Sequence, residues 1–176
     1  SDNSVVTWGG SDYGGESSGV ASQLASGVTT IFNNVNAFAA LKSDGSVATW
    51  GHSVHGGDSS GVASQLASGV TTIFSTHYAF AALKNDGSVI TWGSSSSGGD
   101  SSGVASQLAS GVTTIFSTSG AFAALKSDNS VVTWGSSSHG GDSSGVASQL
   151  ASGVATIFST DWAFAALKSD NSVVTW

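Results

Sequence analysis

The sequence predicts an all-β fold of β-propeller blades, each a sheet of three to four antiparallel strands. Three observations carry this expectation. The chain repeats every 42 residues, with Trp8, Trp50, Trp92, Trp134 and Trp176 evenly spaced across its 176 positions. Self-similarity at that length marks an array of supersecondary units. Each repeat also holds short β-branched and aromatic runs bounded by Gly, Asn, Asp and Ser, as strands and turns require. Finally, the most apolar run places Phe122 on one face and Ala121 and Leu125 on the other. A sheet wetted on one side alternates apolar and polar residues; a blade held between two neighbours need not.

The chain reads as one array, 1–176, with four units at 9–50, 51–92, 93–134 and 135–176. They follow an extra copy of the Trp-ended strand at 1–8, so four blades are expected per chain. In the third unit, residues 112–116 (VTTIF) form a first strand and residues 121–126 (AFAALK) a second. Residues 127–130 are a turn, and their counterparts at 43–46 and 85–88 carry Asp-Gly, which supplies the positive φ of a tight hairpin. Residues 130–134 are the third strand, and a Gly/Ser loop follows it. Residues 146–150 (VASQL) read as a short outer strand, with a single helical turn as the alternative. The unit has only ten large apolar residues among 42, too few to offset the entropy of ordering it alone. Stability is expected to reside in the stack of units.

Composition excludes several function classes. With no Cys, the chain has no disulfide, thiolate metal site or cysteine nucleophile. Four Lys+Arg against 11 Asp+Glu give a net charge of −7, which repels a phosphate backbone, so nucleic acid is not an expected partner. No apolar run approaches the roughly 20 residues of a membrane helix, and no membrane insertion is expected. An acidic, thiol-free chain suits an extracellular or secreted setting. Position 1 is Ser and no leader motif is visible, so the chain is expected to be processed or excised from something longer.

Catalytic and metal chemistry find little support. Gly57-Asp58-Ser59-Ser60-Gly61 has the outline of a hydrolase signature, but a nucleophile needs a base and an orienting acid. Residues 98–103 keep the same Gly/Asp/Ser character without any His nearby, which points to a structural turn. His52, His55 and Asp58 could clasp zinc or nickel, yet the pattern occurs once, in a Gly/Ser loop. Asp44, Asp86, Asp128 and Asp170 recur one blade apart and would not converge on calcium; turn duty explains them better. Lys42, Lys84, Lys126 and Lys168 end strands beside turn carboxylates, as exposed ion pairs or edge protection. No enzyme activity, catalytic residue, metal or cofactor is expected.

Unit by unit, the string Ala-Leu-Lys-x-Asp-Gly/Asn-x-Val-x-x-Trp-Gly resembles the repeat of regulator of chromosome condensation (RCC1-type) propellers. Residues 83–93 (LKNDGSVITWG) show it well, and the lead-in Ser68-Gly69-Val70 also fits. The 42-residue length is most similar to the short-repeat bacterial members, β-lactamase-inhibitor propellers among them. The resemblance covers the whole chain. It implies seven-bladed rings that bind proteins across one face through inter-strand loops. The chain departs from it in having four units, and in Gly56-Gly57-Asp58 where Gly-Gln-Leu usually follows the Trp-Gly loop.

The octapeptide SDNSVVTW occurs at both 1–8 and 169–176, one copy more than four blades require. Three explanations follow: excision from a longer array, pairing of two chains into an eight-bladed ring, or an open filament-like assembly. Elsewhere the units differ mainly in two windows. The first precedes the Ala-Phe strand, at 33–36, 75–78, 117–120 and 159–162; the second follows the Trp-Gly, at 10–13, 52–55, 94–97 and 136–139. Loops on a rigid scaffold carry recognition, and Tyr, Trp, His, Asn and Ser are typical of such surfaces. The candidate ligand-binding residues are Tyr13, Val35, Asn36, His55, His77, Tyr78, Ser119, His139, Asp161 and Trp162. Relatives of the inhibitor type are implied to use the first window, and Tyr78 and Trp162 fall on matching positions. Two functions stand: a module gripping a protein or glycan partner with this face, or a structural repeat whose role is self-association. Drift in exposed turns would also vary these windows.

Overall fold

The computed structural model describes residues 2–176. It contains four separate three-stranded sheets, each an antiparallel meander in sequence order. Blade 1 comprises β1 (Val28–Asn33), β2 (Ala37–Lys42) and β3 (Val47–Gly51), and blade 2 comprises β4 (Val70–Ser75), β5 (Ala79–Lys84) and β6 (Val89–Gly93). Blade 3 holds β7 (Val112–Ser117), β8 (Ala121–Lys126) and β9 (Val131–Gly135); blade 4 holds β10 (Val154–Ser159), β11 (Phe164–Lys168) and β12 (Val173–Thr175). Register repeats from blade to blade: Phe80 pairs with Trp92, Phe122 with Trp134, and each first strand carries a bulge near its start.

The expected outer strand is instead helical, so each blade has three strands. A 3-10 turn at Ser144–Val146 runs into the short helix α3, Ala147–Leu150. Helices α1 (Ala21–Leu24) and α2 (Ala105–Leu108) occupy the same place. Unit 2 makes a comparable turn, with Leu66 N–H donating to Val62 O at 3.1 Å. The cause is spacing. Val146 and Leu150 are four positions apart, so a helical turn puts both on one face, and both pack into the same core cluster. A strand would also bring them to one face but would separate them by more than twice the helical rise.

Packing between sheets builds the core. Ala121, Ala123 and Leu125 of blade 3 pack with Leu150, Val154, Ile157 and Phe164 of blade 4. On the other face of the same strand, Phe122 and Ala124 join Ala79, Ala81 and Leu83 of blade 2. Both faces of a middle strand are therefore apolar, as its sequence implies. Alanine at alternate positions lets the sheets approach, and Phe fills the remaining volume. Each Phe stacks on the Trp of its own sheet, with centroids 5.2 Å apart in blades 1, 2 and 3. The Trp92 indole N–H donates to Gly56 O at 3.0 Å. Gly56 has φ 101°, and a Cβ there would stand 2.6 Å from the Phe80 ring, so the position demands glycine twice over.

The hairpin turns behave as the sequence implies. Gly45 and Gly87 take φ of 77°, and Asn129 and Asn171 adopt 63° and 66° in the same place. The Ser46 hydroxyl and N–H both donate to Asp44 Oδ1, at 2.6 and 2.9 Å, and hold that carboxyl below the ordinary aspartate range. These carboxylates serve their own turns. The strand-end lysines act differently from the ion-pair expectation: Lys84 Nζ donates to Gln65 O at 2.8 Å and Lys126 Nζ to Gln107 O at 2.7 Å. They satisfy carbonyls of the short helical segment that strand hydrogen bonds cannot reach.

The stack has two uncovered ends. On blade 1, Ile31 is 43% exposed, whereas Ile73, Ile115 and Ile157 are 2–3% exposed. On blade 4, Phe158 is 61% exposed and Ala163 is open to solvent. Residues 2–8 lie on blade 1 without forming the strand their sequence suggests, because no middle strand lies beside them.

Ala123 and Ala165 occupy equivalent positions, but Ala123 is fully buried between blades and Ala165 is partly open on the last face. Ala123→Leu should cost about 1–3 kcal/mol by overpacking. Ala165→Leu should stay within about 0.5 kcal/mol. Urea unfolding of the two variants checks the difference.

Candidate functional site

Both variable windows sit at one end of the sheets, because one window joins the first strand to the second and the other leaves the third. A single side chain ties them together. Asn34 Oδ1 accepts from Asn36 N–H at 2.9 Å and Ala37 N–H at 2.8 Å, while its Nδ2 donates to His55 O at 2.7 Å. Thr76 does the same with a hydroxyl, accepting from Ala79 N–H at 3.1 Å and donating to Ser97 O at 2.9 Å. Thr118 accepts from Ala121 N–H at 3.0 Å and donates to His139 O at 2.9 Å. Grouping position 34 and its repeats with the variable windows misses this role. The signal was present: position 34 and its repeats carry only Asn or Thr, each both donor and acceptor.

The tips of the first window are bonded blade to blade. Val35 N–H donates to His77 O at 3.4 Å, His77 N–H to Ser119 O at 2.9 Å, and Ser119 N–H to Asp161 O at 3.0 Å. Four of the proposed binding residues, Val35, His77, Ser119 and Asp161, thus line one concavity of about 520 Å³. Its walls are otherwise Asn, Ser and Thr, so it is polar and rich in hydroxyls.

Outside the lining of this concavity, five of the remaining candidates make contacts between the two windows. The His55 ring lies 4.5 Å from Tyr78, and His139 stacks on Trp162 at 4.3 Å. Asn36 meets the next second window through its carbonyl, which accepts from His52 N–H at 2.9 Å. Tyr78 and Trp162 are 39% and 64% exposed, which leaves large aromatic surface open beside a rigid frame. Gly120 leaves room where Tyr78 and Trp162 stand in their own repeats, and the His139 ring occupies that space at 3.0 Å from where a Cβ would be. Tyr13 belongs to the same repeat position as His55 and His139, but the structure sets it apart. It is exposed beside Trp8 and Phe38 on the open side of blade 1, not on the shared concavity.

His52, weighed above only as a metal ligand and not as a binding residue, stacks on His55 with centroids 4.1 Å apart. Both Nδ1 atoms are shielded and make no hydrogen bond. Asp58 does not join them; it accepts from Ser60 N–H at 2.9 Å in a turn of its own. Among the described residues no group of three or more His, Cys, Asp or Glu is gathered to hold a metal. Burial, and then the neighbouring His52, push the His55 pKa below its usual value.

Sheets stacked face to face, with variable loops gathered at one end, define a β-propeller-type repeat array. Solved structures place it more narrowly. Prp20p from Saccharomyces cerevisiae matches with a TM-score of 0.58 at 15% identity, over 89% of this chain and 45% of its own. The same yeast RCC1 bound to Kap60 gives 0.58 at 16% identity, covering 89% and 44%. The ectodomain of the Physcomitrella patens receptor kinase CR4 gives 0.51 at 16% identity, covering 84% and 37%. The units therefore have the fold of RCC1-type propeller blades, and the chain spans less than half the length of these proteins. No protein-family model and no curated protein matches the sequence.

The lowered His55 pKa has a pH consequence. As pH falls through the ordinary histidine value of 6.5, the unfolded chain takes up a proton before folded His55 does, so stability is lost on acidification. The drop in urea midpoint between about pH 7.5 and 5 should be smaller in His55→Ser than in the parent chain.

Proposed function

We propose that this chain is a non-enzymatic binding module whose loop face grips a protein or glycan partner. One observation carries the reading. Side chains that differ between otherwise matching units lie at one end of the sheets, where Val35, His77, Ser119 and Asp161 line one concavity and Tyr78 and Trp162 stand exposed. Tyr78 and Trp162 act as anchors, since exposed aromatics on a fixed frame lose little entropy when a partner covers them. His77, Ser119, Asp161 and Asn36 supply polar contacts, and His55 and His139 brace the aromatics from behind. Tyr13 is left out of this face.

Support for a protein partner comes from Prp20p, which is described as binding Gsp1p and histones. A non-catalytic role fits the Gly-Asp-Ser strings, whose Asp58, Asp100 and Asp142 are engaged by Ser N–H groups in turns. An extracellular setting belongs to the same proposal, and the CR4 ectodomain is a relative in fold from such a setting.

Panning a displayed peptide library and probing a glycan array with the immobilised chain tests the reading. Ligands recovered on the parent should bind Trp162→Ala/Tyr78→Ala at least about tenfold more weakly. Asp44→Ala, at the opposite end of the sheets, should leave them unchanged. Ligands held equally well by the double variant would overturn the assignment of this face.

A further inference from the structure

The two halves of one interior blade junction lie at opposite ends of this chain. Residues 2–8 follow the path of a third strand along blade 1. Val5 N–H donates to Leu24 O at 3.0 Å, as Val47 N–H does to Leu66 O at 3.0 Å one repeat later. Val28 N–H donates to Asn3 O at 3.2 Å, as Val70 N–H does to Gly45 O at 3.0 Å. Thr7 Oγ1 meets Ser17 Oγ at 2.8 Å, as Thr91 Oγ1 meets Ser101 Oγ at 2.9 Å. These residues have a following blade but no sheet. Val6 and Trp8 are 77% and 83% exposed, while their counterparts Val132 and Trp134 are 5% and 4% exposed.

Strand β12 is the converse: it has a sheet, but no blade follows it among the described residues. Val173 pairs with Leu167 and Thr175 with Ala165. Yet Val173 is 62% exposed, while Val131 at the same position in blade 3 packs against blade 4. The two segments share one octapeptide, at 1–8 and 169–176, so either can stand in the other's place.

A groove of about 380 Å³ separates residues 5–8 from blade 1, with Val6, Trp8, Ile31, Phe38 and Trp50 on its walls. At the junction of blades 3 and 4, Ala121, Ala123 and Leu125 fill the corresponding space. Blade 4 presents the same row, Ala163, Ala165 and Leu167, without a blade over it. The loop-tip relay ends in matching groups as well. The Val35 carbonyl lies at one end and the Asp161 N–H at the other, the acceptor and donor that would continue it.

We infer that the 176-residue chain associates head to tail with a second copy. The uncovered face of blade 4 fills the groove on blade 1 of its neighbour, and the two octapeptides compete for the single third-strand place at that junction. The contact is heterologous, so it closes into a ring when the rotation returns and extends otherwise.

Light scattering on the intact chain tests this over roughly 5–200 µM. The expected result is species at multiples of 17.3 kDa that grow with concentration. Removing residues 1–8 alone, or 169–176 alone, removes a competitor and should strengthen association; removing both should abolish it. Ala163→Glu alters a side chain that is exposed in the single chain, so circular dichroism should be unchanged while the larger species disappear. A 17.3 kDa particle across the whole range would overturn the inference. So would association that survives Ala163→Glu or the double removal, or that either single removal weakens.

Discussion

Face-to-face packing of sheets through alternating alanines is the constraint on which the rest of this structure depends. Three of the four core clusters are shared between neighbouring blades. Ala81 is buried in the cluster that holds Phe122, and Ala123 in the cluster that holds Phe164, so each interior middle strand completes its neighbour on one side and is completed on the other. A methyl group is the largest side chain that leaves room for the facing Phe, Ile and Leu at interior density. This arrangement explains why a chain with only 9% charged residues can remain ordered without disulfides, and why its two outer faces carry exposed Ile31 and Phe158.

The same packing holds the loops. Because the two interior sheets are packed on both faces and the outer two on one, the loop ends are held in place, and variation at 35–36, 77–78, 119–120 and 161–162 changes chemistry on a common frame. Hydrogen bonds from Asn34, Thr76 and Thr118 convert two separate loops into one surface. Blade-to-blade bonds at the loop tips then join successive surfaces around a common concavity. Scaffold and recognition surface are thus separated within each repeat: one set of positions packs, another varies, and a third couples them.

Much of this was legible in the sequence, for identifiable reasons. The even spacing of tryptophans gave the repeat, and the two-faced apolar run at 121–126 gave the stacking. Asp-Gly at 44–45 and 86–87 located the hairpins, and differences between units located the loop face. Less legible was the segment at 146–150, because five residues are too few to separate helical from strand periodicity when only Val146 and Leu150 are large and apolar. The helix-satisfying role of Lys84 was hidden too, since its acceptor is a backbone carbonyl 19 residues away. Tyr13 looks equivalent to His55 by repeat position, but among the described residues no sheet lies on the side of blade 1 that it faces. The His52–His55 stack and the loop-tip relay depend on three-dimensional placement that spacing alone does not encode.

The most direct test of mutual support is a peptide holding only the third unit, residues 93–134, observed by circular dichroism and one-dimensional NMR. The expected result is a chain without dispersed amide signals and without a cooperative unfolding transition, although its sequence contains β7, β8 and all of β9 but Gly135. A single unit that folds by itself and melts cooperatively would contradict it.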